Sequence, residues 1–186
     1  EAGPLFCFDA TISGAGKGKL LRVLATIGGL QAVPMRSWKS DEERAKELAA
    51  ALACGTRLMA FDEVSKTLQS ECVRTITTSD TYASRILGKS QEQQWSTHGV
   101  TLAVLGNNLQ PGADMPRRMV LIRQTPQTAD PTARTGWRYP RIEQEVLGRQ
   151  AELLARCLCV VSEYIRAGRP GAAELPNVGS YAGWAE

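Results

Sequence analysis

The stretch SGAGKGKLL, Ser13 to Leu21, sets Lys17 behind closely spaced glycines and ahead of a leucine pair. Glycines let successive backbone N–H groups converge on phosphate oxygens, and a helix starting just beyond them adds positive potential. Ser13, Gly14, Ala15, Gly16, Lys17, Gly18 and Lys19 are therefore the candidate phosphate cradle, with Lys17 reaching the β- and γ-phosphates of a nucleotide. A plain glycine turn is the simpler alternative. Two positions depart from the spacing G-x-x-x-x-G-K-[ST]. Thr11 stands at the first glycine, a change the loop absorbs if its backbone dihedrals stay negative. Gly18 stands where a hydroxyl would ligate Mg2+, so metal affinity depends on other groups.

Three further constellations could share this chemistry. RLMAFDEV is a buried-type strand ending in two acids, and an acid at the tip of such a strand is costly unless it holds a cation. Asp62 would bind Mg2+, directly or through water, and Glu63 would polarise a water attacking the γ-phosphate. Capping of a following helix by Asp62 or Glu63 is the structural alternative. Asn107 and Asn108, after TLAVLG, could orient that water without competing for metal, and they are also good turn chemistry before LQPG. Arg117 and Arg118 precede a strand, where they could stabilise charge on a neighbouring subunit's nucleotide or form a solvated basic pair.

The elements that must position these residues can be read from hydrophobic periodicity. Leu5 to Ala10 is a short buried strand leading into the glycine loop, and KLLRVLATI continues as a helix closed by Gly28-Gly29. Ser40 with Glu43 three residues on marks a helix start that runs to Gly55. Residues from about Ser65 to Asp80 read as helical, and RILGKSQEQQWSTHGV as a hairpin-like excursion. VTLAVLGNN and RRMVLIR are further strands, followed by a polar, proline-bearing loop, QTPQTADPTARTG. From Arg141 to Gly168 one long amphipathic helix is expected, with Ile142, Val146, Leu153, Leu154, Cys157, Val161 and Ile165 on one stripe. Buried strands alternating with helices predict an α/β domain with a parallel-dominated sheet, and ligands at the carboxyl ends of its strands.

Composition limits the alternatives. The 186 residues are enough for one domain with a sizeable core, and 43% hydrophobic with 22% charged residues is ordinary for a globular chain. A net charge of +3 requires any nucleic-acid surface to be local. No apolar run reaches membrane-spanning length and no signal-peptide pattern opens the chain. Five scattered cysteines and a single histidine disfavour zinc and predict reduced, buried thiols in a cytoplasmic protein. An apolar strand near the start and an aromatic-rich tail suggest a domain cut from a longer protein.

Taken in order, FDATISGAGKGKLL, RLMAFDEV, TLAVLGNN and MPRRMVLIR resemble the Walker A, Walker B, sensor and arginine-finger segments of AAA+ ATPases. The pattern is most similar to the superfamily-three-like helicase domains of viral, phage and mobile-element primase-helicases, over residues 5 to 123. The resemblance implies an α/β P-loop NTPase (AAA+-like) core in residues 1–125, built on a mainly parallel five-stranded sheet with flanking helices. Residues 126–186 would be a linker loop and C-terminal helical extension. It also implies ATP and Mg2+ as ligands, Lys17 as the phosphate lysine, Asp62 and Glu63 as the metal and water acids, and Asn107 or Asn108 as sensor. Arg117 or Arg118 would act in trans within a homo-oligomeric ring, commonly a hexamer. The family's DNA-gripping hairpin maps loosely onto Gly88 to Val100, making Lys89 and His98 candidate contacts to single-stranded or forked DNA; Arg85 is a further basic candidate without a role. An upstream primase domain is implied for a full-length protein, and no membrane partner.

Two rivals remain at this stage. GAGKG also resembles the loop of nucleotide monophosphate kinases, although Lys19 stands where those enzymes carry threonine, and no lid or monophosphate-binding segment is apparent. A non-motor, ATP-dependent assembly or loader subunit is the other, against which the Asp62-Glu63 pair argues.

Overall fold

The computed structural model describes residues 2–30, 33–64, 67–85, 91–112 and 114–171. Strand β1 (Leu5–Ala10) leads through the glycine loop into helix α1 (Lys17–Ile27), followed by β2 (Met35–Ser37) and α2 (Asp41–Ala53). Then come β3 (Leu58–Val64), β4 (Thr67–Leu68), α3 (Glu71–Ile76), β5 (Thr81–Arg85) and β6 (Glu92–Ser96). The chain continues with β7 (Thr101–Asn107), β8 (Gln110–Pro111), β9 (Met119–Gln124), α4 (Ile142–Gly148) and α5 (Gln150–Arg166).

Five strands form one sheet in the order β2-β3-β7-β1-β9, and every pairing in it is parallel. β1, β3 and β7 are near-continuous apolar runs because both faces of the sheet's centre are covered. Leu5, Cys7, Met59, Phe61, Leu102 and Val104 face a core closed by α2 and α3. Phe8, Ala60, Ala103 and Leu105 form a smaller core with Leu21 of α1 on the opposite face. Ser40 caps α2 by accepting from Glu43 N, as its spacing predicts. Arg44 is buried at the α2–α3 junction, bonded to Asp41 and Ser70 and stacked 3.9 Å from the Trp38 ring.

The expected strand count holds, but one member is unexpected. β2 is an edge strand of three residues, MRS, too short to show a period, and it pairs with β3 from Met35↔Ala60 to Ser37↔Asp62. The excursion after Asp80 is an antiparallel hairpin, β5 with β6, standing outside the main sheet. Its Tyr82–Trp95 pair packs into the α2–α3 core, which anchors the hairpin base.

Three expectations need correction. The helix expected from Ser65 to Asp80 is only α3, because Thr67 and Leu68 pair as a strand with Gln110 and Pro111, and Ser70 caps the helix late. The single long C-terminal helix is two, broken at Gly148-Arg149, where Arg149 takes φ −116 and ψ 15. Glycine is a weak helix former, and Arg149 is held by carboxylates on both sides, Glu145 and Glu152. The expected stripe is accordingly not a buried seam: Val146 is buried against α1, whereas Val161 and Ile165 of α5 are exposed. Of the five thiols, Cys7 and Cys72 are buried, but Cys54, Cys157 and Cys159 lie at the surface. Among the described residues no helix is long and apolar enough to cross a membrane.

Candidate functional site

The parallel strands all end on one side of the sheet, and a cleft of about 1040 Å³ opens there. One wall is Gly14 to Lys19 with Arg22 and Asp62; the other is the loop after β9, including Thr132, Arg134 and Trp137. The glycine loop turns through left-handed dihedrals at Gly14 (φ 76) and Gly16 (φ 91), conformations that side-chain-bearing residues rarely adopt. Thr11 is not among the positive-φ residues, so its substitution for glycine costs the loop nothing.

α1 begins at Lys17, with Gly16 at its N-cap, no side-chain cap and no acidic residue in its first turn. Helices ordinarily satisfy their first N–H groups with a side-chain oxygen. Here no side chain takes up those donors, and the positive end of the helix dipole faces the cleft.

Lys17 Nζ donates a 2.7 Å hydrogen bond to Asn107 Oδ1, and Asn107 Nδ2 donates to Ser13 Oγ at 3.4 Å. β7 lies beside β1 in register Ala10↔Asn107, which puts the amide next to the loop leaving β1. Partial burial pushes the Lys17 ammonium below its usual range, while the negative charges of Asp62 and Asp9 oppose that shift. Asp62 lines the same cleft from the end of β3, and its Oδ1 accepts from Glu63 N at 2.8 Å.

The remaining sequence candidates sit elsewhere. Glu63 is exposed in a left-handed conformation (φ 56), within a register shift between Phe61 and Val64, and it does not line the cleft. Asn108 is also left-handed (φ 51) and donates to Thr11 O, pinning the loop rather than facing the cleft. Arg117 and Arg118 form a short helical turn before β9, both paired with Asp114. They lie at the opposite end of the sheet, about 17 Å from the cleft at ~3.3 Å per residue. His98 pairs with Asp80 at 2.9 Å at the hairpin base, Arg85 ends β5, and Lys89 lies outside the described residues.

Four features were not foreseen from sequence. Asp9 is fully buried one residue before the end of β1; its Oδ1 accepts from Leu109 N at 3.0 Å and its Oδ2 lies 3.6 Å from Arg123 Nε. It pins the turn that follows Asn107, and the logic applied to Asp62, an acid at the tip of a buried strand, would have found it. Gln124 lines the cleft with a buried Oε1 that has no hydrogen-bond partner among the described residues. Arg134 and Trp137 belong to a polar loop without periodicity, where no local signal marks them. Among the described residues, no three acidic, histidine or cysteine side chains form a metal cage.

No protein-family model matches the chain. No curated protein matches it either. Among solved structures it is similar to an apo form of the NrS-1 C terminal region, at 18% identity and TM-score 0.53, over 82% of this chain and 35% of that one. A second apo structure of the same region matches at 16% identity and TM-score 0.47, over 78% of this chain and 33% of that one. The likeness at this identity is one of fold, and the chain spans about a third of the length of those structures.

Proposed function

We propose that this chain is the ATP-hydrolysing motor domain of a replicative DNA helicase or primase-helicase from a virus, phage or mobile element. One observation carries the reading: Lys17 and Asp62 line a single cleft at the uncapped start of α1, on the carboxyl edge of a parallel sheet, and Asn107 holds the Lys17 ammonium from the end of β7. The glycine loop after β1, Asp62 in β3 and Asn107 at the end of β7 lie towards the carboxyl edge of the sheet, whereas Arg117 and Arg118 precede β9 at its other end.

In this reading the Gly14–Lys19 backbone and the α1 N-terminus bind the triphosphate, and Lys17 exchanges its Asn107 partner for β- and γ-phosphate oxygens. Asn107, released from Lys17, orients the attacking water. Glu63 polarises that water once the strained segment at residues 62–63 turns it into the cleft. Asp62 is a single carboxylate facing the phosphate loop, which suits Mg2+, an ion usually held by one or two carboxylates, substrate phosphates and water. Mg2+ would neutralise charge on the phosphates, with Asp62 as its protein ligand and no hydroxyl from Gly18. Arg117 or Arg118, too distant to act within its own chain, serves a neighbour's site in a homo-oligomeric ring. The segment from Gly88 to Val100, with Lys89 and His98 as its candidate contacts, meets single-stranded or forked DNA.

Phosphate release with and without single-stranded DNA tests the reading. Lys17→Ala and Glu63→Gln are each expected to lower turnover at least about 100-fold, as loss of a preorganised charge-stabilising group does. If neither changes ATP turnover or ATP-dependent assembly, the motor assignment fails. ADP formation from ATP plus a nucleoside monophosphate would make the chain a kinase instead.

A further inference from the structure

We infer that the loop after β9 carries a base-tolerant nucleobase subsite, in which Arg134 and Trp137 form a stacked platform for the base. The inference rests on the nucleotide reading above and names the other end of the same ligand.

Arg134 and Trp137 line the cleft that the glycine loop opens into, so phosphate and base ends share one space. At about 1040 Å³ that space is at the upper end of the range for small-ligand sites. The platform is fixed relative to the phosphates. A Cβ built on Gly14 would come within 2.6 Å of Thr132 Cγ2, so the loop after β9 is seated directly on the glycine loop. Asp130 holds the turn there, accepting from Thr132 N at 2.9 Å.

The indole is already oriented. Trp137 Nε1 donates to Arg134 O at 2.9 Å, and the Arg134 guanidinium lies 4.3 Å from the ring centroid. Yet Trp137 is 51% exposed, a large apolar surface in the wall of a cleft. A planar, polarisable ligand stacked on this pair would cover it, and every nucleobase has such a face. The guanidinium adds a cation to a cleft that already holds Lys17 and Lys19 against the carboxylate of Asp62.

Base tolerance follows from what the wall lacks. Residues 125–137 are exposed or only partly buried, so no buried donor or acceptor among them reads a base edge. Strong discrimination requires buried polar groups that a wrong base would leave unpaired. Gln124 is the one buried, unpartnered polar side chain among the described residues of the cleft lining, and because a side-chain amide carries both donor and acceptor, it can pair with either kind of base edge.

The test is calorimetry on the whole chain with ATPγS, GTPγS and inorganic tripolyphosphate. The native protein should bind the two nucleotides within about fivefold of each other, since stacking tolerates any base. Trp137→Ala should weaken both by about 5- to 150-fold and leave tripolyphosphate within about twofold, while Trp137→Phe keeps most of the nucleotide affinity. Lys17→Ala should weaken all three ligands. Unchanged ATPγS binding in Trp137→Ala, an equal loss of tripolyphosphate, or a native preference for one base beyond about 100-fold overturns the subsite. Tripolyphosphate that does not bind, with Lys17→Ala indistinguishable from native, removes the nucleotide reading itself.

Discussion

Lys17 and Asn107, 90 positions apart in the chain, are joined by a 2.7 Å hydrogen bond between ammonium and amide oxygen. On the proposed reading, a nucleotide phosphate would take the place of this amide on the lysine. An Asn107→Ala variant should therefore bind ATPγS about as well as native or slightly better, while its kcat for ATP falls about 10²-fold, as for loss of one orienting polar group. Equal losses in binding and turnover would mean that Asn107 only supports the loop.

The same lysine should give the site an alkaline limit. Its folded pKa is below the usual value because burial penalises the charge. Below that folded pKa the charged form costs stability, and the cost is relieved as pH rises towards the unfolded value near 10.4. Phosphate binding has the opposite sign, since it needs the proton. ATPγS affinity should thus fall as pH rises through the folded pKa, and Lys17→Arg should keep whatever affinity it has over the same range. Parallel pH profiles for the two proteins would refute this.

Gly18 is the position that lacks a hydroxyl. A Cβ added there meets Arg22 Nη1 at 3.5 Å and Met35 Cε at 3.7 Å, ordinary contacts, so Gly18→Ser should fold and gain about 0.5 kcal/mol in helix propensity. With an added oxygen ligand, half-saturation of ATP turnover by Mg2+ should shift about three- to tenfold lower. An identical metal titration would show that water and Asp62 already suffice.

Arg117 is the more exposed of the two arginines gripped by Asp114, with its side chain 58% exposed against 12% for Arg118. On the proposed ring reading, that makes it the better placed of the two to reach a neighbouring subunit. Arg117→Ala should lose about 10³-fold in turnover with ATPγS binding intact. Mixed with Lys17→Ala, it should regain activity, because each supplies what the other lacks across an interface. No recovery on mixing argues for action within one chain or for a purely structural pair.

Thiol chemistry checks the fold independently of nucleotide. Burial, aided by the charge of Asp9, pushes the Cys7 thiol up to about 12, and burial also raises Cys72. At pH 8 a disulfide reagent should label Cys54, Cys157 and Cys159 quickly and the two buried thiols only in denaturant. Fast labelling of all five in the native protein would contradict the packing of β1.

The central elements were legible because their signals are local. β1, β3 and β7 read as unbroken apolar runs, and α2 announces itself through Ser40 and Glu43. β2 was not legible, since three residues at a sheet edge owe their conformation to β3 and not to any pattern of their own. The break at Gly148-Arg149 hides inside a periodicity that continues through it. Asn107 and Asn108 are chemically identical in the sequence, and only the left-handed backbone at Asn108 divides them. Arg134 and Trp137 reach the cleft because their loop folds back onto Gly14, a contact between distant residues that no window of sequence contains.

The strand order has a consequence for synthesis. β1 has no partner until β7, about 90 residues later, has emerged from the ribosome, a wait of ~5–20 s at usual elongation rates. Its second neighbour, β9, comes later still. The apolar LFCFDA and its glycine loop are therefore made about 90 residues before the first strand that shelters them. Expression yield should depend on how nascent chains are chaperoned through that interval, even where the finished protein is stable.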